Sequence, residues 1–459
     1  MRPLAALAAL LVAGCASTIP PAPGLVRPEF DAGSFAPTPV AAAAPVPDDW
    51  WRLFDDPALD ELVQASLAAN LDLAVAYANL DGARAALRLA QAVRLPRTSV
   101  ESNLGLIDQA KQPGGSPNLP ATEFELAATA SWDADLFGRL RSAAFAARAD
   151  AEAQAAALDG VRVAVVADTV LAYVDLCGAT GNLAVAREQV AVQERALRIV
   201  TAQFAAGEVS PLEVAQVEAL VAASRAVIAP LEAAQANARF RLATLAGRKP
   251  ADPLPASVTC TVPPKLVQAA PVGDGTALLL RRPDIREADR RLAATTARIG
   301  IARADLYPRL NLGGAIGLLS GGLVAIGAPL VTWTFPEQSP VRARIAQAEA
   351  AERAALATWD GTVLRALRDV ETALAAYAAE ARRNTALIAA RGEAQLLARR
   401  AEARVRLGEA EPLVRVDALR TLAQAELALA QSDLAVAQAQ VGLFRALGGG
   451  WRDAAQPLD

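Results

Sequence analysis

Residues 207–212 read Gly-Glu-Val-Ser-Pro-Leu, and residues 408–413 read Gly-Glu-Ala-Glu-Pro-Leu. Each stretch carries the chemistry of a sharp helix reversal. Gly207 and Gly408 suit the position just past a helix end, where the backbone takes a positive φ. Pro211 and Pro412 suit the first position of the next helix, and Ser210-Pro-Leu-Glu213 is a capping box for its free N–H groups. Upstream of each turn, from Phe137 to Ala206 and from Ser339 to Leu407, the sequence is helix-compatible, interrupted only by isolated glycines or an early proline. At 1.5 Å per residue each helix is roughly 100 Å long, beyond the range of an ordinary globular helix. Each long helix therefore folds back as an antiparallel hairpin, and the chain carries two.

The rest of the chain is written twice as well. Leu71 to Arg97 aligns without a gap to Pro283 to Arg309 at an offset of 212, matching Asp72 with Asp284, Leu80 with Leu292, Pro96 with Pro308 and Arg97 with Arg309. The two turns match at an offset of 201. A Pro- and Gly-rich stretch, Lys249 to Gly275, separates the copies. The expected organisation is a signal peptide over 1–14, a lipidated tether over 15–54, a first repeat over 55–248, a linker over 249–276, a second repeat over 277–450 and a tail over 451–459. Each repeat reads as helix, two strands, long helix, turn, helix.

Heptads say how the helices pack. Leu176, Leu183, Val190, Leu197 and Phe204 form one series, and Val185, Val192 and Ile199 form another displaced by two positions. Two residues are about 200° apart on a helix, so the seams lie on opposite flanks. The last helix repeats this with Leu427, Leu434 and Val441 beside Leu429, Val436 and Leu443. Two seams suit a helix in the wall of a tube, which has a neighbour on each side.

The strand patterns lie between the helices. Phe124, Leu126, Ala128, Ala130 and Trp132 alternate with Glu125, Ala127, Thr129, Ser131 and Asp133; Val100, Ser102, Leu104 and Leu106 alternate with Glu101, Asn103 and Gly105. A second, more apolar pair is expected from Leu310 to Leu312 and from Leu323 to Phe335, with a short hairpin over Leu318 to Ala328. An apolar outer and a polar inner face suit a membrane barrel, but four strands cannot close one. Open edges are not tolerated in hydrocarbon, so other copies must complete the sheet. A lumen wide enough for solutes favours three.

Composition narrows the function. Of 459 residues 53 % are hydrophobic but only 4 % aromatic, and there is no histidine. His-dependent hydrolysis and His-ligated zinc are thereby excluded. Cys15, Cys177 and Cys260 are too few for an all-thiolate metal site, and a Cys177–Cys260 disulfide is open. A net charge of −4 argues against nucleic acid. No constellation of residues supports an enzyme, a cofactor or a bound metal. Residues 1–15 have a basic start, an apolar run and a small-residue break, which reads as a secretory signal; Val12-Ala13-Gly14-Cys15 resembles a bacterial lipobox, implying a covalent lipid such as palmitate on Cys15.

In order along the chain, Cys15, Trp51-Arg-Leu-Phe54, Trp132-Asp-Ala-Asp-Leu-Phe-Gly-Arg139, Arg282-Pro-Asp-Ile285, Ala302-Arg-Ala-Asp-Leu-Tyr-Pro308 and Ala446-Leu-Gly-Gly-Gly-Trp451 resemble the outer membrane factor family. These are the TolC-like exit ducts, and the likeness is greatest to their lipidated OprM-like branch. The resemblance implies a mainly α fold with a small β part: a homotrimer with a periplasmic α-barrel and a 12-stranded outer membrane β-barrel. It implies an efflux channel passing substrates from a proton-driven inner membrane pump, through a periplasmic adaptor, to the exterior. It places a periplasmic gate at Leu413, Asp417 and Arg420, and adaptor docking at Gly207, Glu208, Val209, Ser210, Gly408, Glu409, Ala410 and Glu411. One departure is Trp333-Thr-Phe-Pro-Glu-Gln-Ser-Pro340, where the family has a Pro-x-Phe-Asp-Gly-Gly-like strand exit. The rival reading is a lipid-anchored coiled-coil adaptor or scaffold, which would have a single hairpin or lack alternating strands.

Overall fold

A computed structural model describes residues 41, 42, 44–107, 121–266, 268–273, 281–319 and 322–449. The signal, Cys15, most of the tether and the tail lie outside them. The elements follow the duplication: β1 (Ala41–Ala42), α1 (Pro57–Ala69), α2 (Leu71–Ala92), β2 (Arg97–Ile107), β3 (Ala121–Asp133), α3 (Arg139–Ala205), α4 (Pro211–Ala226) and α5 (Ile228–Leu245), then β4 (Ala270–Pro271), α6 (Pro283–Ala304), β5 (Arg309–Leu319), β6 (Gly322–Thr332), α7 (Ser339–Arg406) and α8 (Pro412–Ala446). The long helices α3 and α7 have 67 and 68 residues and stop at the two Gly turns. The return strokes differ. Pro230, which lacks an N–H, sits in the first turn of α5 and interrupts the first return at Val227, whereas α8 runs unbroken for 35 residues.

The chain divides into two compact units. One contains the antiparallel sheet, ordered β2-β3-β5-β6. Its register places Val100, Leu126, Ala128, Trp132, Leu312 and Ile316 on one face, and Ser99, Glu101, Thr129, Ser131 and Asn311 on the other. Ser99 Oγ and Thr129 Oγ1 are hydrogen-bonded at 2.6 Å on the polar face. The second hairpin corrects the sequence expectation: strand pairing runs continuously from Arg309↔Thr332 to Leu319↔Gly322. The first strand, expected only over Leu310 to Leu312, extends to Leu319, and the second begins at Gly322. The register also puts Val324, Ile326 and Leu330 on the polar face, so β6 is apolar on both sides and its alternation carries no signal.

The exits from the sheet repeat one device. The indole N–H of Trp132 donates to the carbonyl of Arg94 at 3.0 Å, and that of Trp333 donates to the carbonyl of Leu306 at 3.0 Å. Each indole body stays exposed with its polar tip satisfied. After β3, Asp133 pairs with Arg139 at 2.9 Å, and the Asp135 carboxylate accepts the N–H groups of Leu140 and Arg141 at 2.7 and 2.9 Å. That explains the spacing of Trp132-Asp-Ala-Asp-Leu-Phe-Gly-Arg139: the second acid caps the start of α3. Farther along the helices, Asp289 of α6 is buried, bonded to Arg290, which also reaches Glu152 of α3 at 3.2 Å. Burial raises the Asp289 pKa against the pull of Arg290.

The other unit holds the larger core. Trp50 is fully buried and stacks on Phe444 at 4.7 Å; Trp51, Phe54, Leu59, Val166, Tyr173, Val370, Leu374 and Leu443 pack around it. Asp56 caps α1 and accepts the Tyr173 hydroxyl at 2.7 Å. The linker is fastened to α3: Cys177 and Cys260 form a disulfide, and a Cβ added at Gly181 would collide with the carbonyl oxygen of Thr261.

Candidate functional site

The two turns are built alike, from the helix end upward. Gly207 has φ +79° and Gly408 φ +75°. The N–H of Glu208 returns to the carbonyl of Gln203 at 2.9 Å, and that of Glu409 to Arg404 at 2.9 Å. This six-to-one bond is the Schellman closure, which only a left-handed residue permits cheaply. In the first turn the Ser210 N–H donates to the Glu213 carboxylate at 2.5 Å. The second turn has Glu411 at the corresponding cap and no side-chain cap bond, so its helix start relies on Pro412 and on packing. Gly207, Glu208, Ser210, Gly408, Glu409 and Glu411 are exposed, while Val209 and Ala410 are half-buried.

The first three turns of α8 have two distinct sides. Val416 is buried with Ala196 and Val200 of α3 and Val217 of α4, while Ala418 is buried against Ala398 and Ala401 of α7. Leu413 is half-buried, and Asp417 and Arg420 project to the open side, 64 and 53 % exposed. Arg420 Nη2 lies 2.9 Å from Asp417 Oδ1, an i, i+3 pair contributing about 0.3–0.5 kcal/mol at such exposure. Farther along, Gln189 of α3 donates to Glu426. Partial burial raises the Glu426 pKa, opposed by Arg391 of α7 and assisted by Glu188. Sequence reasoning missed this tie, because a Glu between two apolar seams reads as solvated.

The seams are buried unequally. Leu176, Leu183 and Val190 are buried within the chain, joined by Ala186, Ala196 and Val200, whereas nearer the turn Leu197 is half-buried and Phe204 is 44 % exposed. Val185 and Val192 are only half-buried, and Ile199 is 45 % exposed. The second flank of α3 thus lacks a full partner among the described residues.

A sheet with an apolar face, joined to long helical hairpins whose turns are solvent-exposed, defines a class of protein: outer-membrane channels that combine a β-barrel with a helical one. The particular family follows from comparison. The chain matches the model of the outer membrane efflux protein family over residues 62–248 and 276–449, and it belongs to that family. It is 31 % identical to the outer membrane protein OprJ of Pseudomonas aeruginosa, over 93 % of this chain and 95 % of that one. It is 30 % identical to the toluene efflux pump outer membrane protein TtgF of Pseudomonas putida, over 89 and 87 %. The solved outer-membrane channel OprN superposes with a TM-score of 0.84 at 33 % identity, covering 93 % of this chain and all of that one. The protein is an outer membrane exit channel for efflux, with its helical part in the periplasm.

Proposed function

We propose that three copies of this chain form the exit duct of a tripartite efflux system. The observation that carries the reading is the sheet: β2 and β6 each pair on one side only among the described residues, and a membrane-embedded sheet with open edges leaves backbone groups unsatisfied. Three sheets of four strands close into twelve. The half-covered Val185, Val192, Ile199 flank supports the same arrangement, because a neighbouring copy supplies the missing wall helix. The turns Gly207 to Ser210 and Gly408 to Glu411 dock a periplasmic adaptor that links the duct to a proton-driven inner membrane pump. Around the axis, Asp417 and Arg420 of three copies form a charged iris bordered by Leu413. Cys15 carries the lipid that fixes the tether to the membrane, and the duct performs no chemistry of its own.

The test is conductance of the detergent-extracted protein in a planar bilayer, with crosslinking of the same sample. A three-chain product with small currents that rise several-fold in Asp417→Ala/Arg420→Ala is expected. A monomer without conductance overturns the duct, and unchanged currents in the double variant overturn the gate. Metabolic lipid labelling that persists in Cys15→Ala overturns the anchor.

A further inference from the structure

The duplication supplies its own comparison for charge where the sheet meets the helices. At the offset of 212, Val93, Arg94, Leu95, Pro96 and Arg97 of the first repeat correspond to Asp305, Leu306, Tyr307, Pro308 and Arg309 of the second. In the second repeat the Asp305 carboxylate accepts from Arg309 at 2.5 Å and from Arg344 at 3.2 Å. In the first, the place of Asp305 is taken by Val93. Arg97 is exposed and makes no ion pair among the described residues. The nearest acid in the chain, Glu101, lies four residues along β2 on the same face, and across the sheet Asp133 is engaged with Arg139 and Asp135 with Arg141. Glu337, beyond β6 at the far edge of the sheet, accepts the Ser339 N–H at 2.8 Å and keeps its charge.

The register decides which way this charge faces. Arg97 is paired with Ser131 and shares the parity of Ser99, Glu101 and Thr129, the polar face. The opposite face carries Val100, Leu126, Trp132 and Ile316 and is the one that meets lipid. Arg97 therefore belongs to the inner wall, at the periplasmic end of the strands. We infer that Arg97 is a selectivity residue of the duct: a guanidinium on the inner wall with no ion-pair partner among the described residues of its own chain, repeated in each copy, which raises the local concentration of anionic solutes such as carboxylates and phosphate esters. A ring of one sign in a low-dielectric wall focuses the field on the passage, and the effect is screened by salt. The inference rests on the duct reading.

The test is the anion-to-cation permeability ratio from reversal potentials of the full chain in a planar bilayer under a potassium chloride gradient. Val93→Asp installs in the first repeat the acid that the second possesses, leaving Arg97 in place, and the ratio is expected to fall several-fold. Arg97→Gln should do the same and Arg97→Lys should not, while Asp305→Asn should move the ratio the opposite way. Raising the salt to about 1 M, where the screening length is about 3 Å, should shrink all the shifts. Channels whose ratio is unmoved by Val93→Asp and Arg97→Gln overturn the inference and leave the duct standing. Shifts of the same sign in Val93→Asp and Asp305→Asn also overturn it, since they report a structural change. Absence of any channel in the wild type overturns the duct reading beneath it.

Discussion

Replacing Cys260 by alanine tests how the linker between the repeats is held. The disulfide joins residues 83 apart, and the chain-entropy relation gives about 4.5 kcal/mol near room temperature for a loop of that size. Most of the loop is helix-forming sequence that keeps the denatured chain compact, so that value is a ceiling. The expected loss is about 2–4 kcal/mol, in line with native disulfides generally. Urea unfolding followed by tryptophan fluorescence is a direct assay, since Trp50 and Trp51 lie in the same core cluster as Cys177. Reductant should shift the wild type to the midpoint of Cys260→Ala and leave the variant unmoved. Trypsin should cut after the exposed Arg248 faster once the bond is absent. A variant as stable as the wild type, or one that reductant still destabilises, refutes the reasoning.

Gly181→Ala drives a methyl group into the Thr261 carbonyl and should cost about 1–3 kcal/mol in the same urea assay, with the loss reduced in Cys260→Ala, where the linker is free to move. Trp50→Ala removes a fully buried indole stacked on Phe444 and should cost about 3–5 kcal/mol by the same unfolding measurement read through circular dichroism. Because burial raises the Asp289 pKa, the folded state holds that proton more tightly than the unfolded chain does. The wild type is therefore favoured below the ordinary carboxylate range and loses that advantage as pH rises through the raised value. Asp289→Asn does not titrate, so its melting temperature relative to the wild type should climb as pH rises above the ordinary carboxylate value of about 4; a constant difference refutes the assignment.

What the sequence revealed depended on how local the cause was. The Gly-x-x-x-Pro turns, the α3 and α7 termini within a residue or two, and the polar face of β2 and β3 were all readable, because each is dictated by residues within one turn or one strand. The extent of β5 and β6 was not. With Gly, Ala and Leu on both faces there is no alternation to read, and the strand is fixed by pairing with β3. Whether Cys177 and Cys260 join depends on the path of the Pro-rich linker across α3, which no local pattern encodes. The gate residues were placed by family resemblance, and among the described residues of one chain the ion pair of Asp417 and Arg420 is with each other.

The offset between the repeats changes from 212 at Arg97/Arg309 to 201 at Trp132/Trp333, and the helix boundaries and both turns stay near the lower value. The whole discrepancy fits between the paired strands, where residues 108–120 stand against residues 320–321. Divergence in length since duplication has thus been confined to the sequence joining β2 to β3 and β5 to β6. From strand exits to return turns the halves still keep step, so peptide tags or domains can be grafted into either connecting sequence without shifting the phase of any helix, while a single-residue insertion between Asp133 and Gly207 displaces every later contact on its helix by about 100°.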